Sequence, residues 1–289
     1  MANSIYEFQN DGFLLRCQRA QRSIYSKAKK LSYSLSLVML VFTLLSFSGF
    51  LFGGDLLSAI SSLISVILTI VTFKIEEYVS KKREIASSIQ QYIDASLYSS
   101  VLKNEISEWG CQLSRSELVN QVGGYDTGLS SFKNWYSDYS SFKPEWQVFY
   151  CQCENFRWDS DLLTKYRNFN SILIVITVIA FLCLFCLEGF SLIQKICIVS
   201  FFLTIANYFS LRLLRVNKTI HLLHDLNYFR LTIEEQLSKG NNILSDLIKF
   251  QKMIYNRRKN GYLIPDWFYH CYCKSQQKQE DCIASLLKD

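Results

Sequence analysis

The chain has 289 residues, of which 49% are hydrophobic, 15% aromatic and only 19% charged, with a formal net charge of +6. The charged fraction is below the roughly 25% of soluble globular domains, and the apolar residues are concentrated in blocks. Proline occurs only twice, so long stretches lack the residues that interrupt helices. The composition argues against a wholly soluble protein and predicts a mostly α-helical one.

Four runs without a charged residue approach the length of about 20 residues that a membrane-crossing helix needs. They predict spans at about 31–53, 56–73, 170–187 and 191–211. The fourth reaches full length if Lys195 snorkels toward the headgroups. The links inside the two pairs are short enough for tight turns only, which predicts two helical hairpins. Buried core helices are the alternative, and four such runs with two tight turns favour the membrane.

The distribution of charge predicts the orientation of these spans. Residues 1–30 carry a net charge of +4, and basic residues flank the other ends away from the two hairpin turns. No apolar core of the signal-peptide type precedes residue 31, so the first run is expected to be retained. By the positive-inside rule both termini face the cytoplasm. We therefore expect a cytosolic N-terminal segment (1–30), a hairpin (31–73), a cytosolic helical domain (74–169), a second hairpin (170–211) and a cytosolic C-terminal helical region (212–289).

The fold class expected is an all-α membrane protein whose four transmembrane helices extend into a cytosolic helical bundle. The basic excess of the C-terminal region is better explained by anionic lipid headgroups than by nucleic acid. No phosphate-binding loop, dinucleotide fingerprint, nucleophile elbow or zinc-protease motif occurs. The sequence also shows no identifiable nucleophile–base pair, so we predict that the protein is not an enzyme.

Two groups of residues have a weak metal-binding pattern. His221 and His224 share a helix face near Asp225, which is more typical of a polar surface than of a metal site. Two Cys-x-Cys pairs could together bind zinc, although their spacing is shorter than in most structural zinc sites; these are Cys151 with Cys153 and Cys271 with Cys273. Reduced cytosolic thiols are the preferred interpretation, and we predict no metal and no cofactor.

Hydroxyl residues form stripes on the predicted spans. On the second span they all fall within a sector of about 100° and comprise Ser58, Ser61, Ser62, Ser65, Thr69 and Thr72. The fourth span carries Ser200, Thr204 and Asn207. Close helix packing is the preferred explanation, and a wet path in one state is the alternative. Such stripes are too narrow for one chain to enclose a wide lumen, so we expect a homo-oligomer.

Three polar stretches carry a resemblance to a known family. They are the segment 20–29, the segment from Asn134-Trp135-Tyr136 through Cys151–Asp159 to Tyr166, and Ile264-Pro265-Asp266-Trp267-Phe268-Tyr269. With two hairpins at this spacing, they resemble the S-4TM family, the SMODS-associated four-transmembrane effectors. The family usually has a basic residue where this chain has Cys153 and an Arg near Leu163.

The resemblance implies a pore-forming effector of bacterial antiphage defence in the inner membrane. Its implied partners are a nucleotidyltransferase, the cyclic oligonucleotide which that enzyme makes, and the lipid bilayer, with abortive infection as the outcome. A membrane scaffold that recruits cytosolic partners is the alternative, and a membrane-bound enzyme is less favoured.

Polar and aromatic residues of the first two stretches are the candidate ligand-binding residues, because such side chains stack on bases and pair with phosphates. They are Arg22, Tyr25, Trp135, Tyr136, Asn155, Arg157, Trp158 and Asp159. The competing interpretation is structural: core aromatic residues and helix caps. The sequence does not choose between the two.

Overall fold

Four helices of 40 to 48 residues, α2, α3, α5 and α6, dominate the fold. The computed structural model describes residues 4–51 and 54–288. Within these ranges the chain forms eight α-helices and no strand: α1 (Ile5–Phe8), α2 (Gly12–Leu51), α3 (Asp55–Leu102), α4 (Arg115–Val122), α5 (Pro144–Phe185), α6 (Leu192–Ser238), α7 (Leu244–Asn260) and α8 (Asp266–Leu286). The all-α fold class is confirmed.

The long helices begin and end where the local sequence directs. Asp55 to Leu102 contains neither Pro nor Gly, and α3 runs unbroken until Lys103 turns left-handed. Pro144 occupies the first turn of α5, where its missing N–H costs no hydrogen bond. At the start of α6, the Ser191 hydroxyl accepts the Gln194 N–H and the Gln194 side chain accepts the Ser191 N–H.

Each of the four long helices contains a segment that is apolar and long enough to cross a membrane, as predicted. The helix α2 packs along α3, and α5 packs along α6, so the helices form two hairpins. The two hairpins touch through stacked rings of Phe47 and Phe201, whose centroids lie 4.1 Å apart. Among the side chains that the structure describes in the apolar segments (31–53, 56–73, 170–187 and 191–211), few are buried by the chain itself. Their surfaces are therefore available to lipid or to other copies of the chain.

The remainder of the described chain, residues 4–30, 74–169 and 212–288, forms one polar bundle that contains most of the hydrophobic core. Its largest fully buried side chains include Trp109, Tyr98, Phe149 and Phe250. The N-terminal part of α2 belongs to this core, because Leu14, Cys17 and Ala20 are buried there. Residues 4–30 are consequently an integral part of the bundle and not an appendage.

A buried ion pair joins α3 to α7 inside the polar bundle. Arg258 donates from Nη1 to Asp94 Oδ2 over 2.6 Å, and these residues are only 6% and 2% exposed. The Gln251 side chain donates to the same carboxylate oxygen over 3.0 Å, and Tyr136 donates its hydroxyl to Asp94 Oδ1 over 2.6 Å. The carboxylate thus joins two helices and the segment before α5.

We expect Asp94→Asn to lower the free energy of unfolding by about 3–5 kcal/mol, because Arg258 would remain charged, buried and without a countercharge. Urea titration of the protein in mild detergent measures this. The matched control is Asp126→Asn, which breaks the exposed pair with Arg16 and should cost about 1 kcal/mol or less. Equal effects of the two substitutions would contradict the role given to the buried pair.

Candidate ligand site

A cavity of about 220 Å³ opens in the polar bundle where α2, α3, α5, α7 and α8 meet. The residues around it come from distant parts of the chain: Gln21, Arg22, Tyr25, Lys29, Gln90, Trp135, Tyr136, Glu154, Asn155, Trp158, Asp159, Leu162, Arg257, Arg258, Gly261, Tyr262, Leu263, Ile264, Tyr269 and Gln277. Only the folded bundle brings these residues together.

Aromatic rings form much of the cavity wall. Trp158 of α5 and Tyr269 of α8 stack with their ring centroids 6.1 Å apart. The guanidinium carbon of Arg22 lies 4.3 Å from the centroid of the Tyr269 ring, which is a cation–π contact. Burial raises the pKa of Tyr25 to about 12, so this phenol stays protonated and can donate a hydrogen bond. Flat rings next to fixed cations are suited to planar, anionic ligands.

The cavity wall carries more positive than negative charge. The four basic residues are Arg22, Lys29, Arg257 and Arg258, and the two acidic residues are Glu154 and Asp159. Arg257 pairs with Asp159, and Lys29 Nζ lies 2.9 Å from Asp266 on α8. Burial lowers the pKa of Lys29, and the Asp266 carboxylate counters part of this effect. The basic groups are thus held in place before any ligand arrives.

Glu154 adds a carboxyl group whose charge is partly suppressed. The residue is 2% exposed, and burial raises its pKa to about 7 although it accepts the Ser137 N–H. Near neutral pH the carboxyl therefore exists in both protonation states. It can donate a hydrogen bond as an acid or accept one as an anion, and it offsets the basic charge only in part.

The buried network around Asp94 holds one wall of the cavity. Asn155 donates from Nδ2 to the Tyr136 hydroxyl over 2.6 Å, and that hydroxyl donates in turn to Asp94. Burial raises the pKa of Tyr136 well above its usual value, so the phenol remains the donor to the carboxylate. Because each group has a partner, the positions of these side chains are determined by the protein.

The linker between α7 and α8, residues 261–264, lies against the cavity on one side and against the long helices on the other. Arg83 of α3 donates to the Gly261 carbonyl over 3.0 Å, and the Tyr262 N–H donates to Thr219 Oγ1 of α6 over 3.0 Å. A Cβ at Gly261 would approach the Arg257 carbonyl oxygen to 2.6 Å, so only glycine fits this position.

Two more helices reach the same linker through tyrosines. The Tyr33 hydroxyl of α2 donates to the Leu263 carbonyl over 3.0 Å and lies 3.0 Å from the Tyr262 hydroxyl. The Tyr166 ring of α5 stacks on the Tyr262 ring with centroids 5.7 Å apart. The linker therefore contacts all four long helices.

The structure brings seven of the eight candidate ligand-binding residues to this one cavity. The exception is Arg157, which lies outside the cavity on the face of α5 toward α8. Its Nε and Nη2 atoms donate to the Glu280 carboxylate of α8 over 2.5 to 3.0 Å. Arg157 thus joins two helices, and its place among the ligand-binding residues stays a prediction.

The sequence reasoning missed several lining residues, above all Arg257, Arg258 and Glu154. Arg258 had a signal: on a helical wheel it falls on the same stripe as Leu247 and Ile254, which are buried. Asp94 similarly lies on the buried stripe of Tyr98 and Val101. A charged residue on an apolar stripe indicates a buried partner, whose identity depends on the packing of another helix.

The hydroxyl stripes are partly described. On α6 the Ser200 and Thr204 hydroxyls donate to the carbonyls four residues earlier, and Asn207 is exposed. On α3 the Thr72 hydroxyl donates to Leu68 in the same way, Ser61 is buried and Thr69 is exposed. The side chains of Ser58, Ser62 and Ser65 lie outside the described part of the structure. The carbonyl bonds of Ser200, Thr204 and Thr72 lie within one helix, and the Thr72 hydroxyl also lies 3.4 Å from Met39 Sδ of α2.

The weak metal patterns do not meet in space. Among residues 4–51 and 54–288, no group of three or more His, Cys, Asp and Glu side chains is arranged to hold a metal ion. Cys151 and Cys153 are buried in the core, whereas Cys271 is exposed on α8. Burial raises the pKa of Cys153 to about 12, which favours the thiol over the thiolate when no metal is bound.

The raised pKa of Glu154 generates a pH prediction. The folded chain holds a proton on this carboxyl that the unfolded chain, with a pKa of 4.5, has released. Its contribution to stability therefore falls as the pH rises from about 4.5 through 7, by at most about 1.4 kcal/mol per pH unit. We expect Glu154→Gln to remove this decline, measured by urea titrations across that range. Unchanged pH dependence would contradict the assignment.

Comparison with known proteins identifies the family. A family model described as the SMODS-associating 4TM effector domain matches residues 3–285. Comparisons with curated proteins and with solved structures found no match. The match covers nearly the whole chain, including the four apolar helices and every residue around the cavity. The chain therefore belongs to the family of SMODS-associating 4TM effector domains, as the resemblance of its polar stretches indicated.

Proposed function

We propose that this chain is a membrane effector of bacterial antiphage defence that binds a cyclic oligonucleotide in the cavity and then breaches the inner membrane. The observation that carries the proposal is the cavity itself. Its stacked rings and fixed cations meet at the linker that contacts all four long helices. A nucleotidyltransferase would supply the ligand, and this chain would act without catalysis.

The chemistry of the cavity wall supports a nucleotide ligand. Trp158 and Tyr269 offer faces on which a base can stack, which is worth about 1–3 kcal/mol per base. Arg22 and Lys29 are the basic groups that can neutralise phosphates. Asn155 and Glu154 present polar groups for the edge of a base. A ligand with two or more bases and phosphates would use all three kinds of group together.

The proposed transmission is direct, because the cavity and the long helices share the 261–264 linker. A ligand that displaces Tyr262 or Leu263 also alters contacts with Tyr33 and Tyr166, which lie next to or within apolar segments. Such a ligand can shift the equilibrium only by its differential affinity for the two states, commonly about 1–3 kcal/mol per site. Several copies acting together would sharpen the response, and we propose a homo-oligomer.

We further propose that the polar bundle and both termini face the cytoplasm. The net charge of +4 on residues 1–30 and the basic residues beside the other apolar segments support this orientation. A cytosolic bundle would meet a nucleotide made in the same compartment. The opposite orientation would separate the cavity from its ligand by the membrane.

We expect Trp158→Ala to weaken cyclic-oligonucleotide binding by about 5- to 150-fold, because one base loses its stacking partner. Calorimetry with a panel of cyclic oligonucleotides measures binding, and dye release from vesicles measures membrane damage. The matched control is Tyr228→Ala, which removes an exposed ring of α6 outside the cavity and should change neither. If the parent binds no member of the panel, or if Trp158→Ala behaves as the parent, the cavity is not the ligand site.

We expect Tyr33→Phe to leave nucleotide binding within about twofold while reducing leakage by about 2- to 13-fold, the effect of losing a hydrogen bond worth about 0.5–1.5 kcal/mol. Tyr33 holds the linker but does not line the cavity. The matched control is Tyr228→Phe, which removes the hydroxyl of an exposed ring of α6 outside the cavity. Parent-like leakage from Tyr33→Phe would show that the linker does not carry the signal.

A further inference from the structure

Trp267, in the first turn of α8, stands out from the other tryptophans. All five tryptophans lie in the described part of the chain, and Trp267 alone among them is exposed, at 55%. Trp109 is fully buried, and Trp135, Trp146 and Trp158 are half-buried. A large apolar ring exposed at a fixed place requires an explanation, because the neighbouring Phe268 of the same turn is buried in the core.

The start of α8 is held at the boundary between the polar bundle and the apolar segments. Asp266 pairs with Lys29, which lies two residues before the first apolar segment. The Trp267 ring packs edge-to-face against Phe169, with centroids 5.7 Å apart. Phe169 immediately precedes the third apolar segment. Two independent contacts thus place the exposed indole beside the ends of two membrane-capable helices.

A second exposed aromatic residue lies on α3 just beyond an apolar segment. Tyr78 is 50% exposed, five residues beyond the second apolar segment, and Lys82 lies over its ring at 5.3 Å. Tryptophan and tyrosine are enriched where a membrane meets water, because an apolar ring with one polar group suits that region. Long basic side chains at the same level reach the headgroups.

We propose that Trp267 is a membrane-interface residue that seats the first turn of α8 in the headgroup region of the leaflet next to the polar bundle. The partner is the lipid interface and not a second copy of this chain. Basic residues cluster beside these segments, including Lys30 and Arg167, and a second copy would bring the same positive charge against them. Anionic headgroups are attracted to it.

The seating of Trp267 in the headgroup region does not depend on nucleotide binding. It gives the 261–264 linker a defined position, because the linker is followed within three residues by a side chain embedded in the leaflet. The cavity wall then lies directly above the membrane surface. The lipid composition of the leaflet, and not only the ligand, would therefore influence the position of the 261–264 linker.

The experiment uses the full-length protein in nanodiscs of phosphatidylethanolamine and phosphatidylglycerol, with or without lipids brominated near the top of the acyl chain. Bromine quenches only indoles that touch the interface. We expect Trp267→Phe to reduce the lipid-quenched part of the tryptophan emission by at least about half, since Trp267 is the indole assigned to the interface. The matched control, Trp146→Phe, removes a tryptophan that packs against Phe149 and Tyr150 and should leave that part intact.

Trp267→Tyr provides a second variant, which keeps a ring against Phe169 while removing the indole emission; it should give the same loss. Aqueous iodide should quench the Trp267 component only weakly. The proposal is overturned if removing Trp267 leaves lipid quenching unchanged. Strong quenching of Trp267 by iodide would then show that the indole faces water, and weak quenching would show that a second copy of the chain covers it. Because no nucleotide is present, this outcome is independent of the test of the ligand site.

Discussion

The charge pair between Asp94 and Arg258 determines how the polar bundle is assembled around the cavity. Burial alone would lower the pKa of Arg258. The Asp94 carboxylate, with Tyr136 and Asp159, raises the pKa, and the net shift is upward, so the guanidinium stays charged inside the protein. Removing two charges from water costs several kcal/mol, so such a pair is a poor source of net stability. Its effect is positional. Helices α3 and α7 must meet in one register. The same carboxylate then accepts the Tyr136 hydroxyl, which in turn accepts the Asn155 amide N–H.

That register also determines where the 261–264 linker lies. The linker follows directly after Asn260, the last residue of α7, so fixing Arg258 fixes Gly261 within one turn. From there the linker reaches Thr219, Tyr33 and Tyr166 through hydrogen bonds and ring stacking. The linker residues therefore line the cavity on one side and contact the ends of the apolar helices on the other. A small shift of the linker would therefore act on the apolar helices directly, without a separate hinge domain. Packed contacts between rigid helices are not continuously deformable, so such a shift would change the helix packing in a discrete step.

The membrane part differs from the polar bundle in how its polar groups are satisfied. Hydroxyls such as those of Ser36, Thr43 and Ser200 return to carbonyls of their own helix. In lipid each of these hydroxyls thereby keeps a hydrogen-bond partner. A wet path through the spans would require these hydroxyls to exchange their carbonyl partners for water. The few contacts between the two hairpins leave their surfaces available for that rearrangement or for assembly.

The sequence by itself determined the helical class, the four membrane-capable segments and their pairing in hairpins, because charge-free length and tight turns are local properties. It also singled out Arg22, Tyr25, Trp135 and Trp158, which the fold brings to one cavity, although only through resemblance to a family. The tertiary structure decided the rest. It turned Arg157 toward Glu280 and brought Arg257 and Arg258 to the cavity instead. Which face of a helix a charge occupies can be read along the chain, but its partner depends on how distant helices pack, and no local pattern specifies that.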